Sequence, residues 1–245
     1  MKSRASAALA AATLSAMLFV PSAGRAMPAA MMNEPPAPWT DAGAKPFVRR
    51  DAANHVTAIG LVIPAAAVKA LPAHRSEAVY PLQGAGLVRS ANLQWHPVGH
   101  EPMHVYDVPH FDLHFYTISE NVRRTIVPGA AAGTVKPAKA ILSPGAILAP
   151  GFVPGMGMHA VPGTQPEFNG GTFTISPILG YWNSELAFFE VMFTKGWLVK
   201  NLDKEAAYPQ PASIHQHGQY PTRYSVHYDK AADAYTVSLT HFRSR

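Results

Sequence analysis

Between Trp95 and Tyr116 the chain reads WHPVGHEPMHVYDVPHFDLHFY and holds five of its twelve histidines. In the second half of this stretch His110, Asp112, His114 and Tyr116 alternate with Phe111, Leu113 and Phe115, and a strand places the two sets on opposite faces. One face is then apolar. The other carries imidazole and carboxylate, donors that bind divalent transition metals or move protons near neutral pH. On a straight strand His110 and His114 stand about 13 Å apart, four residues at ~3.3 Å each. Both can serve one ion only through a bend, a bulge or a long inward reach, with Asp112 as a ligand between them or orienting a histidine from behind. The ordinary alternative is a solvated polar face.

Three other places could contribute. Glu190 lies in LAFFEVMFT, with Leu186, Phe188 and Met192 expected on its own face and Ala187, Phe189, Val191 and Phe193 on the other. A carboxylate among so many apolar neighbours is costly to bury unless it binds a cation, meets a donor or stays protonated. His159 ends PGMGMH, where Gly155 and Gly157 allow a sharp bend or a close approach. His100 and Glu101 in VGHEP could move a proton beside a metal or cap the loop. His215-x-His217 sits in a Gln- and Gly-rich loop and reads as surface, as do His55, His74, His96, His104, His227 and His241.

The elements that must position these residues are extended. His55 to Ile63, Ala78 to Leu82, Leu87 to Trp95 and His110 to Ile118 read as strands, with a short helix over Pro64 to Leu71. Two hairpins follow, Thr172–Leu179 with Glu185–Thr194 around GYWNS, and Arg223–Asp229 with Ala234–Phe242 around KAAD. Between Val127 and Pro166 runs a Pro- and Gly-rich segment that also carries Val, Ile, Leu, Phe and Met, so it is expected to be packed down as a long loop. Strand count and scarce helical periodicity predict a mainly β domain over 51–245, an antiparallel barrel or sandwich.

Residues 1–26 form a basic and apolar leader with small residues before Ala26, the pattern of a secretory signal peptide. Residues 27–50 are Pro- and Ala-rich and read as a flexible leader. A periplasmic or secreted product without a stable membrane anchor is expected. The formal charge is +5, but loss of Lys2, Arg4 and Arg25 leaves 17 basic residues against 15 acidic ones. That balance makes no case for a nucleic-acid partner. There is no cysteine, so disulfides and thiolate metal sites are excluded and any metal must use His and carboxylate.

The ordered string GHEPMHVYDVPHFDLHFY, GMGMH, PEFNG and FFEVMFTKGWL resembles an exported bacterial family of unknown function marked by GHEP, PHFDxHFY, MGxH, PEF and FxEPMIT. One described member is a thermophile protein under an extracytoplasmic sigma factor. The resemblance covers roughly residues 55 to 200 and implies a largely β fold and assembly into homo-oligomers, with no established reaction. It maps HFDxHFY onto His110 through Tyr116, MGxH onto Met156 through His159, and the acidic late-strand position onto Glu190. Ala160 replaces the usual aromatic and Val191 the usual proline. The cupin barrel is a looser chemical analogy, since its paired histidines are one residue apart and the spacing here is wider.

Together these readings predict one divalent transition-metal site made by His110, His114, His159 and Glu190, with Asp112 behind the ligands. Nitrogen and oxygen donors suit Zn, Mn, Fe, Ni or Cu alike. If a coordination position stays open, the metal could activate water, with His100, Glu101 or Tyr116 as the proton-transfer groups. The competing readings are a periplasmic binding protein for a metal or a small-molecule ligand of unknown identity, and an oligomeric envelope-stress structural protein.

Overall fold

The computed structural model describes residues 37–244. The signal peptide read over 1–26, and the leader as far as residue 36, lie outside the described residues. The chain then forms β1 (Ala37–Pro38), β2 (Lys45–Arg50) and β3 (Val56–Pro64), followed by α1 (Ala65–Lys69), β4 (Ser76–Pro81), β5 (Ser90–His96) and β6 (His110–Tyr116). Next come α2 (Glu120–Arg123), β7 (Ala146–Leu148), β8 (Met158–Pro162), β9 (Ile175–Trp182), β10 (Glu185–Thr194) and α3 (Lys195–Leu198). Three strands close the chain, β11 (Lys204–Ala207), β12 (Gln219–Asp229) and β13 (Ala234–Ser244).

The strands make an eight-stranded sheet, β1-β4-β5-β6-β10-β9-β8-β7, and a five-stranded sheet, β11-β12-β13-β3-β2. The fold is mainly β and sandwich-like, with the barrel alternative not realised because neither sheet closes on itself. Pairing is antiparallel except for the two-residue contact of β1 with β4. The principal core lies between the sheets. Leu93, Phe111, Leu113, Phe115, Phe189, Val191 and Phe193 from the larger sheet belong to one buried cluster with Ile59, Leu61, Val226, Val237 and Leu239 from the smaller.

Two departures from the sequence reading have local causes. The stretch 27–50, read as flexible, contains β1 and β2, and Trp39 is buried with its ring stacked 6.2 Å from Phe111. A Pro-rich segment shows no periodicity, so one anchoring aromatic is invisible until its partner is known. The GYWNS connection is shorter than expected because Gly180, Tyr181 and Trp182 continue β9. Only Asn183 and Ser184 turn the chain, both at positive φ (49° and 64°), as a tight two-residue hairpin requires.

β10 carries a bulge between Leu186 and Phe188. It turns Leu186 into the inter-sheet core while Phe188 stays on the outer face, so Leu186 does not share a face with Glu190 as regular alternation would require. Just beyond, the buried Tyr208 hydroxyl accepts the Glu190 N–H at 2.7 Å and reaches the carbonyls of Glu190, at 2.8 Å, and of Ile178. It thereby ties β9 to β10 at the level of Glu190. Tyr208→Phe should cost about 1–3 kcal/mol, since buried backbone groups lose their partner. A urea midpoint equal to that of the unaltered protein, at the same slope, would show that these bonds add nothing.

Candidate metal centre

The outer face of the eight-stranded sheet is also covered. Every residue of β6 is buried on both faces, which removes the solvated-face alternative. Two apolar clusters provide the cover. One joins Tyr106, Val161, Phe173, Ile178 and Met192. The other joins Tyr116, Ile126, Met156, Trp182 and Phe188, with Phe152 and Val153 packed against it. The loop after β5 and the long Pro- and Gly-rich segment therefore act as lids, and part of that segment becomes β7 and β8.

Register decides which polar side chains meet beneath this cover. His114 lies directly opposite Glu190 of β10 and Asn92 of β5. His159 of β8 pairs with Gly180 of β9, which in turn pairs with Phe188. A Cβ at Gly180 would fall 1.9 Å from the Phe188 ring, so the missing side chain is what lets that ring lie flat there. The ring then packs against both His114 and His159, at 4.9 and 5.0 Å between centroids. Gly157, at φ 122°, passes so close to β9 that a Cβ would meet the Tyr181 carbonyl at 2.5 Å. The glycine before His159 thus serves a close approach, as its sequence suggests.

His114, His159 and Glu190 form one compact group. Glu190 Oε1 is 3.4 Å from His114 Nε2, and its Oε2 is 3.7 Å from His159 Nε2. These separations are close, yet His114 Nδ1, His114 Nε2 and Glu190 Oε2 are buried without a hydrogen bond among the described residues. Neighbouring donors on a tetrahedral ion with bonds of about 2.0–2.1 Å are about 3.3–3.4 Å apart, so the spacing of this group is compatible with ligands of one ion. Burial, with Asp112 nearby, holds the Glu190 carboxyl well above the usual range. Burial keeps His114 well below its ordinary value and pulls His159 down to about 4, which favours the neutral imidazole, the form with a lone pair to offer.

Asp112 forms a second compact group with His96 and His100, and His110 joins it through the other carboxylate oxygen of Asp112. Asp112 Oδ2 stands 3.0 Å from His96 Nε2 and 3.2 Å from His100 Nε2, and Oδ1 stands 3.1 Å from His110 Nε2. Burial alone would raise the Asp112 carboxyl, but attraction to His96, His110 and His100 outweighs it and holds it well below the ordinary range. Burial also works against charging His100, but Asp112's charge and hydrogen bond win and raise it. Burial keeps His96 below its usual value despite the same carboxylate.

The five residues expected around one ion are therefore divided between two groups, His114, His159 and Glu190 in one and His110 and Asp112 in the other. The long axial distance between His110 and His114 has no bend in β6 to shorten it. His96 is buried, not on the surface. It directly faces His110 across the β5–β6 pair, a partnership no local pattern could reveal. Of the expected proton-transfer groups, His100 touches Asp112, whereas Glu101 is exposed and accepts the Met103 N–H at 2.8 Å as a turn cap. Tyr116 is fully buried, donates to the Gly155 carbonyl at 3.3 Å and stacks on His114 at 5.5 Å. Burial raises its hydroxyl above the ordinary phenol value.

No protein-family model, curated protein or solved structure matches the chain.

Proposed function

We propose that this chain is an exported metal-binding protein in which His114, His159 and Glu190 hold one divalent transition ion. The observation that carries the reading is His114. A fully buried imidazole with neither nitrogen hydrogen-bonded, set beside a buried carboxylate, is expensive without a ligand. Two imidazoles and one carboxylate fit zinc and its neighbours and leave a coordination position for water. His114 and Glu190 are essentially inaccessible and the His159 side chain is 15% exposed. With Phe188 packed edge-on against both rings, this enclosure favours retention of the ion over turnover of a bulky substrate. When bound, the ion would polarise whatever occupies the open position. Glu190 would give up its proton on binding, and the two histidines would orient the ion against the sheet.

Export is part of the same proposal, supported by the leader pattern over 1–26 and by the motif resemblance. The test is purification of the untagged full chain from its exported fraction, with intact mass and metal analysis. The expected result is loss of the leader and close to stoichiometric transition metal. Chelation should then lower Tm by roughly 5–10 °C, since an ion at a hundred times its Kd contributes about 2.7 kcal/mol and a domain of this size shifts by about 2–4 °C per kcal/mol. Folded protein that is metal-free and refuses Zn, Mn, Fe, Ni and Cu would sink the reading.

A further inference from the structure

The group around Asp112 has its own ligand logic. His96 ends β5, His110 begins β6 opposite it, Asp112 is the next residue on the same face, and His100 comes over from the following loop. The three imidazole centroids lie 4.7–5.2 Å from one another, so the rings converge on the carboxylate. His100 Nδ1 and His110 Nδ1 each lie 2.7 Å from a backbone carbonyl, that of Glu101 and that of Val108. A carbonyl only accepts, so both Nδ1 atoms carry a proton and Nε2 is the nitrogen each ring turns toward Asp112. Metal-binding histidines are commonly fixed this way by a hydrogen bond from the nitrogen that does not ligate.

Those Nε2 atoms stand 3.1–3.2 Å from the carboxylate oxygens of Asp112. A ring nitrogen and a carboxylate oxygen this close are joined by a proton or by a metal cation, and His100 has the first of these, a hydrogen bond to Asp112 Oδ2. For His110 and Asp112 Oδ1 the hydrogen-bond solution is not taken up. Both atoms are buried and neither has a hydrogen-bond partner among the described residues. Behind them Gln94 Oε1 lies 3.3 Å from His96 Nε2, and Gln94 donates to Glu77 at 3.2 Å, holding the β5 side of the group in place. The His100 side chain is 33% exposed while those of His96, His110 and Asp112 are at most 7%, which leaves one ligand at the surface through which an ion can arrive.

We infer that His96, His100, His110 and Asp112 form a second divalent transition-metal site, separate from the one containing Glu190. Three imidazoles and one carboxylate, without sulfur, suit zinc, manganese, iron, nickel or copper. One strand thus serves two ions. Asp112 belongs to one and His114 to the other, and their Cα atoms are about 7 Å apart along the strand.

The probes are zinc(II) and cobalt(II), added to the metal-stripped mature protein, with stoichiometry from elemental analysis and the cobalt visible spectrum as a ligand-field readout. The expected result is two equivalents per chain. His100→Ala, at a loop position, and Asp112→Asn, which keeps the side chain's size, should each lose one of the two with affinity down at least a hundredfold. Glu190→Gln should lose the other. Circular dichroism identifies folded variants, and His100→Ala keeps the test decisive if Asp112→Asn does not fold. One equivalent in the unaltered protein that survives His100→Ala but not Glu190→Gln would overturn this second site and leave the first standing. One equivalent lost in His100→Ala but retained in Glu190→Gln would support this site and remove the first. Two equivalents that survive His100→Ala would overturn the inference.

Discussion

Glu190→Gln should abolish stoichiometric metal at the His114–His159 group, with affinity falling on the order of a hundredfold or more. The substitution keeps the side chain's shape but removes the anionic oxygen that neutralises the cation. The effect on the metal-free fold should be small, within about 1 kcal/mol, because burial already disfavours the charged form of Glu190 and the replacement is a neutral amide of the same shape. The two measurements together are diagnostic. Equilibrium binding of zinc reports the ligand, and thermal unfolding after chelation reports the scaffold. Unchanged zinc affinity in folded Glu190→Gln protein would show that Glu190 is not a ligand. A merely structural role for this carboxylate predicts the reverse pattern, lost stability with no change in bound metal.

Phe111→Ala should cause the largest loss of stability, about 3–5 kcal/mol, as expected for deleting a buried aromatic side chain. Phe111 is fully buried in the inter-sheet core. Its ring stacks 5.1 Å from Phe193 and 6.2 Å from Trp39, and lies tilted 4.9 Å from Trp95. It joins the segment before β2 to three strands of the larger sheet in one contact group. Collapse cannot easily refill this space, because the neighbours are themselves large rings held by backbone pairing. Denaturant unfolding gives the number, and a loss below about 1 kcal/mol would contradict this account of the core. Phe111 lies between His110 and Asp112 in sequence but points to the opposite face. Where the variant remains folded its metal content should be unchanged, which separates the packing face of β6 from its ligand face.

Much of this protein is legible in local pattern. The alternation from His110 to Tyr116 is enough to place a strand with an apolar face and a face of imidazole and carboxylate, and the structure has both. Glu190 stands out because no buried carboxylate is tolerated among Phe, Leu and Met without a reason, and it is 2% exposed in the fold. The β class, the hairpin of β9 and β10 and the hairpin of β12 and β13 follow from turn residues and period-two runs. Absence of cysteine restricts the donors to nitrogen and oxygen. These are properties of the chain over a few residues, where side-chain direction follows from backbone period alone.

Which donors share a centre belongs to tertiary structure. Glu190 meets His114, and His96 meets His110, because β10 and β5 pair with β6 in one particular register, and a shift of one residue would send each to the other face. His159 reaches the site only because Gly180 and Phe188 arrange the intervening strand. The bulge at Leu186 breaks the alternation that would have put that leucine beside Glu190. The polar face is buried because the loop leading into β6, carrying Tyr106, and segments distant in sequence, carrying Phe152, Met156 and Phe173, fold over it. Alternation by itself determined which side of β6 could bind metal. Long-range strand pairing and the cover laid over that side decided how its ligands are divided and why they are dry.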